Sequence, residues 1–264
     1  MKIVLILLFL LIVGIIYTFF NYDQVKLNVY KLMPFKQNLF TPVKHRKRNI
    51  LIITAENRTG KYIDYHNLNF KKYADIQGYT YALLENCPKE VATTYWCKIH
   101  KVKEALPYYD YVMWADSDTI VPDLSKSLDD LISRYGEPDV IIGKDTWWSK
   151  NIHILNAGLF LIKNSETGHQ FLDDCLDFIA NKKDCIKDNK EQGMWAGICY
   201  EQGVMNLLVR EKYSDKTLVD NEGKFFLNVV DKIENNEEKI YKTLFLHLAG
   251  QPNYIRETVF KSLI

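Results

Sequence analysis

Short apolar runs separated by stretches of helical period narrow the fold of this chain more than any other property. Asn49–Ala55 (NILIITA) is bounded by polar residues, Tyr62–Gln77 follows with helical spacing up to Gly78, and Tyr79–Leu84 reads as a second strand. The pattern then repeats. Trp96, Ile99, Val102 and Leu106 recur at helical spacing, Pro107 stops them, and Tyr111–Ala115 (YVMWA) is the strand expected at the centre of a sheet. Val140–Gly143, Leu155–Ile162 and Thr243–Leu248 (TLFLHL) are further strands, and Glu166–Ile179 and Glu201–Tyr213 are amphipathic helices. Strands alternating with helices predict an α/β layer fold with a mostly parallel sheet, whose functional site lies at the carboxyl ends of the strands.

Ahead of this pattern, Ile3 to Phe20 is an uncharged run of 18 residues, about 27 Å long as a helix and enough to cross a bilayer core. Residues 1–20 therefore read as an uncleaved signal anchor. The rival, a cleavable secretory signal, lacks a small-x-small site in Tyr17-Thr18-Phe19-Phe20-Asn21-Tyr22. Residues 21–48 have no sustained period and carry seven Lys/Arg against one Asp, which suits a basic stem or linker. Their net +6, with Lys2, leaves residues 49–264 at −6 in a chain of formal charge +1. A mildly acidic domain has no electrostatic reason to bind a nucleic-acid backbone. Lys44-His45-Arg46-Lys47-Arg48 lies more than 20 residues beyond the apolar run, so charge alone leaves the topology undecided. Cys87, Cys97, Cys175, Cys185 and Cys199 form no CxxC pair; they read either as buried small hydrophobes or as one or two disulfides with a free thiol. The single sequon, Asn57-Arg58-Thr59, follows the first strand and is expected to be unmodified.

Asp116-Ser117-Asp118 stands immediately after the central strand, so two carboxylates two residues apart share one edge of a buried sheet. Together they can hold a hard divalent cation such as Mg²⁺ or Mn²⁺; an Asx-type turn is the simpler alternative. His247, inside an apolar strand, is either a packed core histidine or a third ligand. The other five histidines form no HExxH and no i,i+4 pair, and read as structural. Asn156 puts an amide into an otherwise apolar strand, and Gly158 permits close approach of a backbone or a sugar ring. Glu201-Gln202 opens a helix, where an acidic group is also favoured by the helix dipole alone. Trp147, Trp148 and Trp195 lie in loop-like surroundings and suit stacking on a sugar face, with core packing as the alternative.

Taken in order, these motifs resemble the nucleotide-sugar glycosyltransferases of GT-A fold, and most closely glycosyltransferase family 34. The resemblance rests on Gly78-Tyr79, Trp96-Cys97-Lys98, Val112–Asp118, Asn156-Ala157-Gly158 followed by Lys163-Asn164-Ser165, Glu201-Gln202 and His247-Leu248-Ala249-Gly250. It implies a GT-A-like domain over residues 49–264 and a metal-dependent transfer of a sugar to a glycan hydroxyl, with retention of configuration. The implied donor is of the UDP-galactose, UDP-xylose or GDP-mannose type. It implies Mn²⁺ or Mg²⁺ on Asp116, Asp118 and His247, and a donor site using Ser117, Lys98, Gly158 and Gly250. Gln202 is then beside the anomeric carbon, with Glu201 and Asn156 organising the sugar, and Trp147, Trp148 and Trp195 are left for the acceptor. A type II, single-pass protein in the Golgi or another secretory lumen follows, with a homo- or hetero-oligomer left open. Two departures stand out: Glu201 replaces the usual Asp, and Gly250-Gln251-Pro252 lacks the lysine that plant members place there to contact the diphosphate. They keep two rivals open, a catalytically silent sugar-nucleotide or glycan-binding subunit and a metal-dependent phosphohydrolase.

Overall fold

Six strands build the central sheet: β1 (Ile50–Ala55), β2 (Thr80–Leu84), β3 (Tyr111–Ala115), β5 (Val140–Lys144), β6 (Leu155–Lys163) and β9 (Thr217–Asp220), in the order β2-β1-β3-β6-β5-β9. This computed structural model describes residues 48–84, 87, 93–145, 155–188, 190–229 and 237–264. The chain divides into two units, Met1–Asn38 and Leu39–Ile264, and all described residues lie in the second. The expected anchor, and the expected stem apart from Arg48, lie outside the described residues. Among the described residues no helix is long and apolar enough to cross a membrane.

Five strands of the sheet run one way and β6 alone runs against them, pairing antiparallel with both β3 and β5. The sheet is mostly parallel, as expected. Both of its faces are buried, which is why its strands read as continuous apolar runs rather than alternating ones. Leu51, Ile53, Val112 and Trp114 face one core with α2 (Cys97–Ala105), α4 (Glu166–Ala180) and α5 (Glu201–Glu211). Ile50, Ile52, Tyr111 and Met113 face the other core with α1 (Lys61–Gln77) and α3 (Leu128–Arg134). Gly78, left-handed at φ 74°, ends α1 and returns the chain into β2.

A second, three-stranded sheet joins β4 (Thr119–Ile120), β10 (Phe226–Asn228) and β11 (Phe245–His247) in the order β10-β11-β4. It packs with α1 and α6 (Asn253–Ser262) around Tyr62, Ile63, Ile120, Leu246 and Phe260. A small hairpin, β7 (Ile186–Lys187) and β8 (Lys190–Glu191), completes the strands among the described residues. Strands β4, β7, β8, β9 and β10 have no counterpart in the sequence reading, since two to four residues are too few to set up a period, and helices α3 and α6 have none either. The predicted Thr243–Leu248 contracts to the three residues of β11.

Two polar residues of α1 hold the start of this second sheet. Burial lowers the His66 pKa to about 4, so the ring is neutral; its Nδ1–H donates to the Thr119 carbonyl (2.7 Å) and Nε2 accepts from the Thr54 hydroxyl (2.9 Å). The Asn69 amide accepts from Val121 N–H (2.9 Å) and donates to Val121 C=O (3.0 Å), as a neighbouring strand would. Arg48 is buried and pairs with Asp129 and Glu137, which ties the end of the expected stem to α3.

Asn69→Ala leaves both polar groups of Val121 buried and unpaired, and should cost about 3 kcal/mol at roughly 1–3 kcal/mol per orphaned group. Urea denaturation of wild type and variant measures it. A loss below about 1 kcal/mol would mean that water satisfies Val121 instead.

Candidate functional site

The chain leaves β3 at Ala115 and turns through Asp116-Ser117-Asp118 into β4. Backbone bonds fix this turn: Asp116 N–H donates to the Gly158 carbonyl (2.8 Å), Thr119 N–H to the Asp116 carbonyl (3.1 Å) and Leu248 N–H to the Asp118 carbonyl (3.0 Å). The antiparallel register of β11 with β4 sets His247 opposite Thr119, and so beside Asp118. One ligand atom from each of Asp116, Asp118 and His247 can be chosen so that all lie within 4.8 Å of one another. Two carboxylate oxygens and an imidazole nitrogen form a donor set that fits Mn²⁺ or Mg²⁺. His247 Nε2 is 3.1 Å from Asp118 Oδ1, and Arg256 Nη2 of α6 donates to Asp118 Oδ2 (2.7 Å). Burial would push the Asp118 carboxyl up, but these two neighbours hold it below the usual carboxylate range. Burial would lower the His247 pKa, and Asp118 raises it overall.

Lys98, in the first turn of α2, meets Glu201, the first residue of α5. Its ammonium lies 3.0 Å from Glu201 Oε1, 3.2 Å from Asp116 Oδ1 and 3.1 Å from the Ala157 carbonyl, one acceptor for each of its hydrogens. Burial disfavours this charge, yet the two carboxylates raise the Lys98 pKa overall. Glu201 is raised by its burial, with Lys98 acting against the shift. Glu201 is thus engaged in a buried ion pair, besides standing where a helix dipole favours an acid. Two disulfides flank this contact. Cys87–Cys97 adjoins Lys98 and Cys185–Cys199 closes the loop before Glu201, while the Trp96 indole donates to the Cys199 carbonyl (3.2 Å). Of the two cysteine readings, disulfides with a free thiol, the buried Cys175, is the one found.

Because β6 runs against its neighbours, its beginning, not its end, lies at this edge. Asn156 Oδ1 accepts from Gly158 N–H (2.8 Å) and its Nδ2 donates to Asp145 Oδ2 (3.1 Å). Gln202 Oε1 accepts from Ala157 N–H (3.0 Å) and its Nε2 donates to the same Asp145 oxygen (3.3 Å). A Cβ on Gly158 would lie 2.2 Å from His247 Cε1. The group that approaches Gly158 closely is therefore the imidazole, in place of the backbone or sugar ring expected. Gly250 is left-handed at φ 68°, a conformation that favours glycine.

Every described residue singled out from the sequence (Lys98, Asp116, Ser117, Asp118, Asn156, Gly158, Trp195, Glu201, Gln202, His247 and Gly250) lines one cavity of 690 Å³. Trp195 is 51% exposed at its rim, with its ring 5.1 Å from those of both Tyr95 and Tyr200. Trp147 and Trp148 lie outside the described residues. The sequence reading missed Glu56, Arg58 and Asp145, which line the same cavity, and Arg256. Glu56 and Asp145 follow β1 and β5 as Asp116 follows β3, so position at a strand's carboxyl end was a signal that could have found them. Glu56 Oε2 accepts from the Ser117 hydroxyl (2.6 Å) and from Arg58 Nη2 (2.6 Å). Burial would raise its pKa, but these bonds lower it to about 2.

Known proteins resemble the chain in both sequence and fold. The galactosyl transferase GMA12/MNN10 family, glycosyltransferase family 34, matches residues 46–147. "Probable glycosyltransferase 7" of Oryza sativa subsp. indica is 34% identical over 88 residues, covering 30% of this chain and 19% of that protein. "Probable glycosyltransferase 6" of the same subspecies is 32% identical over 101 residues, 36% of this chain and 20% of that protein. The chain thus spans about a fifth of the length of these curated relatives. These matches support the family resemblance that the motifs carry. In fold, the chain is similar to a glycosyltransferase involved in the glycosylation of the major capsid of PBCV-1, with TM-score 0.59 and 16% identity over 81% of this chain and 98% of that one. It is also similar to the apo form of the glycosyltransferase GlyE of Streptococcus pneumoniae TIGR4, with TM-score 0.53 and 13% identity over 83% of this chain and 61% of that one.

Glu56 gives the site a pH signature. Its folded value, about 2, is below the ordinary 4.5, so its ionised form stabilises the fold fully above the unfolded value and loses that contribution as pH falls towards 2. Glu56→Gln should therefore flatten the acid limb of stability between pH 5 and 2, read as the urea midpoint at each pH. Parallel acid limbs in the two proteins would show that the pairing with Ser117 and Arg58 adds no stability.

Proposed function

We propose that this chain transfers a sugar from a nucleoside diphosphate sugar to a glycan hydroxyl, with a divalent cation held by Asp116, Asp118 and His247. The observation that carries this reading is the convergence of two carboxylates and an imidazole, 129 residues apart, on one cavity at the carboxyl edge of the sheet. Bound there, Mn²⁺ or Mg²⁺ would supply Lewis-acid stabilisation of the negative charge that develops on the departing diphosphate.

The remaining roles fall to the chain itself. Lys98 holds Asp116 and Glu201 in place while preventing the two carboxylates from repelling each other. Asn156 and Gln202 aim their amides at Asp145 on the cavity wall, a hydrogen-bonding surface suited to sugar hydroxyls. Gln202 faces the reacting carbon, and retention follows if the departing phosphate takes the proton of the acceptor hydroxyl on the same face. Trp195, with Tyr95 beside it, offers an acceptor sugar an aromatic face at the rim; Trp147 and Trp148 are kept for the acceptor on their sequence alone. The UDP-galactose, UDP-xylose and GDP-mannose types are the donors to try first. Two disulfides favour an oxidising compartment, which supports a type II anchor and a domain in the Golgi or another secretory lumen.

Incubating the purified protein with UDP- and GDP-sugars and Mn²⁺, with and without oligosaccharides, tests the whole reading through diphosphate release. Donor binding without release would indicate a silent binding subunit, and release indifferent to acceptor a phosphohydrolase. Asp118→Asn keeps the size of the side chain but removes its charge, and should lower transfer at least about 10²-fold. Normal transfer by the folded variant would remove Asp118 from the site.

For topology, protease treatment of intact microsomes should spare residues 49–264 until detergent is added. Digestion without detergent would place the domain on the cytosolic side.

A further inference from the structure

The parallel register of β10 and β11 sets Asn228 directly beside His247, and both side chains are buried. Asn228 Nδ2 donates to the Lys144 carbonyl at 2.9 Å. A carbonyl only accepts, so this contact settles which end of the Asn228 amide is nitrogen. Its oxygen then lies 2.8 Å from His247 Nδ1, where only an N–H can satisfy it. With a proton on Nδ1, Nε2 is the nitrogen whose lone pair a cation can take once its own proton is displaced, and it faces Asp118 Oδ1 at 3.1 Å.

Two glycines leave room for this arrangement. A Cβ on Gly143 would stand 3.0 Å from Asn228 Nδ2 and 2.9 Å from Phe226 Cβ, and one on Gly158 would overlap the imidazole at 2.2 Å. Strands β5 and β6 thus provide a carbonyl that orients Asn228 and a flat surface against which the ring lies.

We propose that Asn228 is a positioning residue for the cation site: held by Lys144 C=O, it fixes His247 as the Nδ1–H tautomer and presents Nε2 to Asp116 and Asp118. The inference rests on the cation-binding reading given above. Neutral imidazole binds a metal through one nitrogen while the other donates to a neighbouring acceptor, and loss of that acceptor typically weakens the metal 10- to 100-fold.

Calorimetric titration of the metal-free protein with Mn²⁺, for wild type, Asn228→Ala, His247→Ala and the double variant, tests it without reference to activity. His247→Ala should weaken Mn²⁺ at least about 10-fold and Asn228→Ala by about 10-fold. The double variant should be no weaker than His247→Ala, because Asn228 acts through the ring. Melting in metal-free buffer confirms that each variant is folded, and Asn228→Ser is the milder substitute if the alanine variant is not. In the Mg²⁺-loaded wild type, the imidazole ¹⁵N resonances of His247 should show a protonated Nδ1. Wild-type Mn²⁺ affinity in Asn228→Ala beside a weakened His247→Ala, or losses that simply add, would overturn the positioning role and leave the cation site standing. A wild type that takes up no Mn²⁺, or a His247→Ala variant that binds it normally, would overturn both.

Discussion

A single buried ammonium ties the working edge of this protein together. Lys98 contacts Asp116 after β3, the Ala157 carbonyl of β6 and Glu201 at the start of α5, so four elements meet at one charge. Such a charge is costly out of water, and removing one partner of a buried pair typically costs about 3–5 kcal/mol because the other is left uncompensated. The arrangement persists because every hydrogen of the ammonium has an acceptor. It also explains why both disulfides sit where they do. Cys97 precedes Lys98 and Cys199 lies just before Glu201, so covalent links constrain the two backbone segments whose side chains must meet.

The reversed direction of β6 has an equally specific consequence. In an all-parallel sheet its first residues would lie at the far edge, remote from Asp116. Running against β3 and β5, it brings Asn156, Ala157 and Gly158 to the cavity, where their backbone bonds to Asp116 and Gln202. The second sheet works in the same way on a smaller scale. Three paired residues of β11 and two of β4 suffice to carry His247 to Asp118.

Long apolar strands and amphipathic helices were legible because burial on both faces of the sheet leaves a mark on every residue they contain. Tyr111–Ala115 and the carboxylates that follow it were readable for this reason, as was the helix that Glu201 opens, while the place of Lys98 and Glu201 in the site came with the family resemblance. Strands β4, β9 and β10 were not readable: they are short, and their conformation depends on partners distant in sequence, such as His66 and Asn69 for the segment around Thr119. Glu56 and Asp145 carried only one mark, a place just after a strand, which Asp116 shares. Arg256 lies 138 residues after the carboxylate it meets, and no local pattern marks that distance. The role of Gly158 was legible only by half, since a sequence shows that something must approach a glycine but not what.

Charge around the cavity adds a constraint that no single contact reveals. Glu56, Asp116, Asp118, Asp145 and Glu201 supply five carboxylates, against Lys98, Arg58 and Arg256 as full-time cations. With Glu201 ionised opposite Lys98, the excess is two negative charges. Arg58 is spent largely on Glu56, and Lys98 on Asp116 and Glu201, while Asp118 pairs with both Arg256 and the imidazole. A divalent cation at Asp116, Asp118 and His247 would match that excess, and a diphosphate without one would enter a site that repels it. For the transfer proposed above, this local balance would favour the cation arriving before the anionic donor or together with it.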